Sequence, residues 1–220
     1  MSSRDDGLKS ALLDRVIEVQ ADLLNESNRD AVASFTRHTY AHVSPDDLSR
    51  RSVNHLAHAA ISLWQFAQIR KDDKPMVRIF NPDTNEEGWS TSASLLQIVN
   101  TDMPFLVDSV TAALQRRGMN IRLIVHPVLQ VERDGNGKLV RVSAAMKDGA
   151  QAPQDAPHHP LESIMHIELN RIANKERQAS LLRKIKKVFD DVVAAVGDWS
   201  EMRSLCEQMS DRLLDYGQGL

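Results

Sequence analysis

The spacing of apolar residues changes twice along this chain of 220 residues. In the first region apolar side chains recur every three or four positions, which predicts amphipathic helices. The clearest stripe there is Leu8, Leu12, Val16, Val19 and Leu23. In the middle region short apolar runs separated by turn residues predict strands, and helical spacing then returns. We therefore expect three regions: helical 1–74, α+β 75–174 and helical 175–220.

The helical first region divides at turn and capping residues. A second helix is predicted from 30 to 40, with Val32 and Phe35 facing inward. Ser44 is a good N-cap and Pro45 suits the first helical position, so a third helix is predicted from there until Pro75. Part of it, 52–69, has no charged residue, but five polar side chains interrupt it. We expect a buried helix there, and not a membrane span.

The middle region reads as strands around one helix. Pro104 opens that helix and Gly118 ends it, while 134–137 (Asp-Gly-Asn-Gly) predicts a hairpin turn. The predicted strands are 76–80, 92–100, 119–133, 139–146 and 164–172, with 149–160 as a loop. In the long strand one face is predicted to carry Ile121, Leu123, Val125, Leu129 and Val131.

The last region carries a long apolar stripe that should pack on the sheet or on another domain. The stripe is Leu182, Ile185, Phe189, Val192 and Val196. Gly197 is predicted to break the helix, and Asp198 to cap the next one. The economical fold is an antiparallel, ferredoxin-like sheet with helices on one face, permuted in its last elements and flanked by N- and C-terminal helices.

Charge and cysteine content narrow the class of protein. The chain has 27 Lys and Arg against 30 Asp and Glu, so we expect it to bind neither nucleic acid nor an anionic membrane. Cys206 is the only cysteine, which excludes an intrachain disulfide. The first ten residues lack the apolar core of a signal peptide. We therefore expect a cytoplasmic protein.

One junction between a strand and a helix is a candidate ligand site. Such a junction offers free backbone N–H groups and the positive end of a helix dipole, which suit a carboxylate. Asp102 could hold an ammonium group, so the loop could recognise both charges of an amino acid. The alternative is that Asp102 only caps the helix and Pro104 only starts it. The candidate residues are Asn100, Thr101, Asp102, Met103, Pro104, Phe105 and Asp108.

The histidines give weaker signals. The pairs at 38 and 42 and at 55 and 58 have helical spacing, but no carboxylate or cysteine lies at a supporting distance, so we predict no metal site. His126, His166 and Glu168 are expected on the polar face of the sheet or at an interface. No pair of nucleophile and base is apparent, so we predict no catalytic residue.

Three runs, taken in order, carry a resemblance to a known family. They are NTDMPFLVDSVTAALQRRG (100–118), IVHPVLQVERDGNGKLV (124–140) and ESIMHIELNR (162–171). They resemble successive segments of the N-terminal region of the large bacterial NAD-dependent glutamate dehydrogenases, and the likeness covers about 92–170. The first run also looks like the strand-to-helix loop at which ACT domains bind amino-acid effectors. One departure is that the last helix follows the final strand instead of preceding it.

The resemblance implies an ACT-like regulatory and assembly region that senses an amino acid at the loop described above. It also implies a homo-oligomer and contacts with the remainder of a dehydrogenase chain. NAD is expected for the full-length enzyme, whose active site would lie downstream. No GxGxxG turn follows a strand here, and Gly135 and Gly137 belong to the hairpin, so no cofactor is expected in this chain. The alternative is a purely structural oligomerisation module, and an independent small enzyme ranks last.

Overall fold

The computed structural model describes residues 3–71, 74–144 and 160–217. Within them the chain forms a helical N-terminal part, an α+β middle part and one long C-terminal helix. The helices are α1 (Ser3–Leu23), α2 (Glu26–Tyr40), α3 (Pro45–Ser49), α4 (Val53–Ala67), α5 (Leu106–Gln115) and α6 (Lys175–Gly217). The strands are β1 (Met76–Phe80), β2 (Ala93–Thr101), β3 (Ile121–Val125), β4 (Val128–Arg133), β5 (Leu139–Ala144) and β6 (Leu161–Asn170).

The six strands form one sheet in the order β1-β2-β6-β4-β5, and β3 pairs with β6 on the same side as β4. Every strand pairing is antiparallel. The long strands β2 and β6 occupy the centre and pair along their whole length. In a ferredoxin-like βαββαβ unit the edge strand beside the first strand is the last one in sequence. Here β2 corresponds to that first strand, and the edge position beside it is taken by β1, which precedes β2 in the chain. The predicted permuted ferredoxin-like arrangement is confirmed.

Helices α5 and α6 cover one face of the sheet, as the α+β prediction required. Their apolar stripes meet alternate residues of the two central strands, because side chains of a strand point to opposite faces in turn. The buried residues of this core are Leu96, Ile98, Leu106, Val110, Ala113, Leu114, Met165, Ile167, Leu169, Ile172, Leu181, Ile185, Phe189 and Val192. Each large apolar side chain buried there stabilises the fold by about 1.5–3 kcal/mol.

The N-terminal flanking helices pack on the opposite face. Phe35 of α2 and Leu63 of α4 are fully buried against Val99, Leu129 and Ile164 of the sheet. In α1 the buried side chains include Leu13 and Val16, whereas Leu8 is 62% exposed, so the predicted stripe was partly wrong. Because the N-terminal helices cover this face of the sheet, the polar side chains of β6 that point to it lie inside the chain.

The predicted long strand is interrupted twice. His126 and Pro127 separate β3 from β4, and Pro127 has no N–H to continue the ladder. The register also shifts between Ile121 and Leu123, so Ile121 packs in the core beside α5 and α6 while Leu123 faces α1. The prediction that all five apolar residues share one face was wrong for this reason.

Two predicted helices have different ends. The third helix divides into α3 and α4, because Ser52 caps α4 by accepting a hydrogen bond from the His55 N–H. Ser44 occupies the N-cap of α3, without a side-chain hydrogen bond. The break predicted at Gly197 was wrong, since α6 continues to Gly217. A single glycine inside a helix costs only about 1 kcal/mol, and the neighbouring residues outweigh it.

The hairpin between β4 and β5 forms where it was predicted. Asp134 accepts hydrogen bonds from the N–H groups of Asn136 and Lys138, and Gly137 adopts a φ of 77°. The predicted loop at 149–160 lies outside the described residues except for Pro160. None of the described helices combines the length and the apolar character that crossing a membrane requires.

Candidate functional site

The strand-to-helix junction divides into an inner and an outer part. Asn100 is buried at the end of β2, and its Nδ2 donates to the Thr101 carbonyl at 2.9 Å. The Thr101 hydroxyl accepts a hydrogen bond from Arg70 at 2.9 Å. These two candidate residues therefore serve internal contacts, and Asn100 is buried while Thr101 is half-buried.

A buried ion-pair network lies directly behind this inner part. Glu162 of β6 accepts hydrogen bonds from Arg70 at 3.0 Å and from Arg133 at 2.7 and 2.8 Å. Arg133 also donates to the carbonyl of Gly137 in the hairpin. Sequence reasoning missed this network, because its members are separated by long stretches of chain and share no local pattern.

Asp102 does not cap α5. The helix begins at Leu106, its N-cap is Phe105, and no side chain accepts a hydrogen bond there. The alternative in which Asp102 caps the helix and Pro104 starts it was therefore wrong. Burial raises the pKa of Asp102 above its usual range, and the nearby His126 and the Met103 N–H offset this only in part.

His126 forms a short contact with a buried serine. Its Nε2 lies 2.7 Å from the Oγ of Ser163. Burial lowers the pKa of His126, and the neighbouring Asp102 opposes that shift. Because Ser163 is completely buried, its hydroxyl cannot reach a substrate, and the pair does not form a nucleophilic site.

Phe105 is the most unusual residue of the outer part. It has a φ of 65°, and among the described residues it is the only one other than glycine with a positive φ. Its side chain is nevertheless 59% exposed. A left-handed conformation costs a residue with a Cβ atom about 1–2 kcal/mol, and strain of this kind concentrates at ligand sites.

A cavity of about 480 Å³ lies beside Phe105, between α5 and α6. Its charged lining consists of Asp108 from α5, Arg116 at the C-cap of that helix and Asp191 from α6. The rest is mostly apolar: Phe105, Ala112, Val188, Val192 and Ala195, with Ser109 as a neutral polar group. Two of the seven predicted loop residues, Phe105 and Asp108, thus border a space that could hold a small molecule with both charges and an apolar part.

The predicted polar face of β6 is buried under α3 and α4. Glu168 accepts hydrogen bonds from Arg51 at 2.7 and 3.0 Å, and its Oε1 lies 2.7 Å from His55 Nε2. Burial alone would raise the pKa of Glu168, but the bonds from His55 and Arg51 outweigh it and lower the pKa to about 2. His58 also stacks on Trp89, and His55 meets the same ring edge to face.

His166 lies beside this network with one unsatisfied nitrogen. Its Nδ1 is 3.2 Å from the amide nitrogen of Gln97, and its Nε2 has no hydrogen-bond partner among the described residues. Burial lowers the pKa of His166 to about 4, so the ring is neutral at neutral pH. His126 and His166 contact different partners, Ser163 and Gln97.

The junction does not fit a dinucleotide. The residues from 101 to 106 contain no glycine, which a close approach to a pyrophosphate would need. The positive-φ glycines of the described chain are Gly88, Gly118 and Gly137, none of which lies at this junction. In the part of the chain that the structure describes, no three His, Cys, Asp or Glu side chains converge as metal ligands would.

Fold and site together define an ACT-like α+β domain with a loop and cavity at the start of its first helix. The profile of the family "Glutamate dehydrogenase, ACT1 domain" matches residues 35–185, and the chain belongs to that family.

Two relatives match most of this chain. It is 34% identical over 199 residues to an NAD-specific glutamate dehydrogenase of Halomonas elongata, a match covering 89% of this chain and 12% of that protein. It is 29% identical over 189 residues to an NAD-specific glutamate dehydrogenase of Pseudomonas aeruginosa, covering 86% of this chain and 11% of that protein. The chain thus spans about an eighth of the length of these relatives or less. No solved structure matches it.

Proposed function

We propose that this chain is a regulatory module of an NAD-dependent glutamate dehydrogenase and binds an amino acid with an apolar side chain between α5 and α6. The parent enzyme would convert L-glutamate and NAD to 2-oxoglutarate, ammonium and NADH in a part of the protein outside this chain. The observation that carries the proposal is Phe105, an exposed aromatic residue held in a strained conformation. It lies beside a cavity whose lining includes both positively and negatively charged side chains.

The lining of the cavity suits an amino acid. Arg116 offers a planar guanidinium for the α-carboxylate, and Asp108 offers a carboxylate for the ammonium group. Val188 and Val192 of α6 supply an apolar wall for the side chain of the ligand. A strongly charged side chain would lose its hydration against that wall, so the apolar amino acids are the expected class.

Helix α6 gives the module a route to the rest of the enzyme. At 43 residues it is about 65 Å long, and the buried residues that pack on the sheet lie between Gln178 and Val192. A ligand that contacts both α5 and α6 favours the arrangement in which these helices are closest. It would thereby shift the position of the distal half of α6.

The second candidate is a purely structural module that assembles an oligomer. It is favoured by the exposed apolar side chains of α6, Val193, Met202 and Met209. It predicts self-association without ligand, and sedimentation of the purified chain at high concentration measures this. A strictly monomeric chain would argue against the structural candidate and leave the sensing proposal intact.

The sensing proposal is tested by thermal unfolding of the purified chain with each of the twenty amino acids. A ligand at one hundred times its dissociation constant adds about 2.7 kcal/mol to the free energy of unfolding, which raises Tm by a few degrees. Asp108→Asn should abolish the shift, whereas Asp190→Asn, an equal charge change at an exposed residue of α6 outside the cavity, should retain it. Equal shifts in both variants, or none with the wild type, would contradict the proposal.

A further inference from the structure

A second cavity lies on the other face of the sheet from the α5–α6 cavity, beside the N-terminal helices. It has a volume of about 380 Å³ and lies where the connection between α3 and α4 meets β3 and the segment before β2. Its lining is predominantly polar and consists of Asp47, Arg50, Arg51, Ser52, His55, Thr91, Ser92, Arg122 and Glu168. Nothing in the proposed amino-acid site uses these residues.

The floor of this cavity is rigid and nearly neutral. Arg51 donates from Nε to both carboxylate oxygens of Glu168 and from Nη2 to one of them. The side chains of both residues are largely buried. The charge of each is balanced by the other, and such a bidentate pair has a fixed geometry.

The same guanidinium also fixes the walls. Arg51 follows Arg50 directly in the chain, and its Nη1 donates to the Asp47 carbonyl at 2.6 Å. Its Nη2 donates to the carbonyl of Arg122 on β3 at 3.1 Å. One buried side chain therefore holds the backbone on both sides of the cavity, at Arg50 and at Arg122.

The two wall arginines form no ion pair among the described residues, although Asp47 lines the same cavity. Arg50 and Arg122 are both exposed, and neither has an ion-pair partner among the described residues. Arg122 uses one donor, Nη1, on the Ser92 hydroxyl at 3.0 Å, which orients its guanidinium. Two guanidinium groups on separate elements provide two places for a planar anion.

We propose that this cavity binds a small dicarboxylate, with one carboxylate on Arg50 and the other on Arg122. Two guanidinium groups on separate elements suit a ligand with two separate carboxylates better than a compact anion such as phosphate, which carries its charge in one place. The Ser52 oxygen accepts the His55 N–H and leaves its O–H free to donate, while the guanidinium of Arg51 is committed to Glu168, so the two wall arginines supply the charge that holds the ligand. The site is separate from the amino-acid cavity and does not depend on it.

Isothermal titration calorimetry of the chain at low salt with succinate and glutarate tests this site. Arg50→Gln and Arg122→Gln should each weaken binding roughly tenfold or more, because each removes charge-assisted hydrogen bonds. Arg29→Gln is the matched control, since Arg29 is an exposed arginine of α2 outside the cavity, and should change affinity less than about twofold. Both wall residues are exposed, so the variants should fold, which circular dichroism checks.

Three results would overturn the proposal. The first is the absence of heat with either dicarboxylate, and the second is an equal loss of affinity in Arg29→Gln, which would indicate unspecific charge attraction. The third is binding of acetate or inorganic phosphate as tight as that of succinate, which would show that one wall suffices. Asp108→Asn should leave dicarboxylate binding unchanged, so the two ligand sites are tested independently.

Discussion

Glu168 on β6 is held by Arg51, 117 positions earlier in the chain, through hydrogen bonds of 2.7 and 3.0 Å. Arg51 lies in the connection between α3 and α4, and the pair joins the N-terminal helices to the central strand of the sheet. Because both side chains are mostly buried, the pair is screened little by solvent. Together with the apolar contacts of α2 and α4, this ion pair holds the N-terminal helices on the sheet.

Removing one partner of this pair should destabilise the chain strongly. Arg51→Met leaves the carboxylate of Glu168 buried with only His55 beside it, and we expect a loss of about 3–5 kcal/mol. Urea unfolding at pH 7 measures this loss. The double variant Arg51→Met with Glu168→Leu removes both charges and should recover much of the stability. A double variant as unstable as the single one would show that the buried charge is not the cause.

Stability should fall between pH 7 and pH 5 because of His166. Burial lowers its pKa to about 4 in the folded chain, whereas an unfolded histidine titrates near 6.5. Below pH 6.5 the unfolded state therefore binds a proton that the folded state does not, and stability is lost as the pH falls toward 4. At pH 5 the expected loss is about 2 kcal/mol.

A pair of histidine variants isolates that effect. His166→Gln should reduce the difference in unfolding free energy between pH 7 and pH 5, whereas His42→Gln, at an exposed position, should not. Part of the difference should remain in His166→Gln, because burial also lowers the pKa of His126. Glu168 does not contribute in this range. Its pKa is lowered from 4.5 to about 2 in the folded chain, so the stability that it adds to the fold is lost only below about pH 4.5. An unchanged pH dependence in His166→Gln would refute the assignment.

Of the two glycines in the hairpin, Gly137 should be the one that cannot be replaced by a residue with a side chain. Its φ is 77°, and a Cβ atom there would collide with the backbone of Arg70. We expect Gly137→Ala to cost about 3 kcal/mol through backbone strain and overpacking. Gly135→Ala is the control, since a Cβ atom there meets nothing, and thermal unfolding should show a change below about 0.5 kcal/mol. Equal losses in the two variants would contradict this account.

Phe105 should matter for ligand binding more than for stability. Phe105→Gly removes the strain of a left-handed conformation, which should stabilise the folded chain by about 1–2 kcal/mol. It also makes the unfolded chain more flexible, which should destabilise the folded chain by about 0.5–1 kcal/mol. The free energy of unfolding should therefore stay within about 1 kcal/mol of the wild type, while the thermal shift with amino acids disappears. A loss of stability above about 2 kcal/mol would show instead that Phe105 is a packing residue.

Local chemistry made part of the fold predictable. The hairpin at 134–137 depends on Asp134 and on a glycine with positive φ, and both signals lie within four residues. The alternation of β6 likewise placed His166 and Glu168 on one polar face. The identity of what covers that face was not predictable, because Arg51 is remote in sequence and nothing near it marks its partner.

Of the candidate site, only the loop that borders one side of the cavity could be predicted from the sequence. The junction at 100–108 was found because a strand gives way to a helix there, but the pattern could not separate Asn100, which is buried, from Phe105, which is exposed. The cavity itself is lined from two elements, by Arg116 at the end of α5 and by Val188 of α6 among others. Their arrangement arises from helix packing on the sheet and leaves no periodic signal in the sequence.

The most direct test of the account is nuclear magnetic resonance of the labelled chain, titrated with the amino acid that gives the largest thermal shift. The backbone amide signals of 105–116 and 188–195 should move together, with one dissociation constant. Movement confined to 47–55 and Arg122 would place the amino acid in the second cavity and contradict the proposed site. No movement at saturating concentrations would contradict the sensing function of this chain.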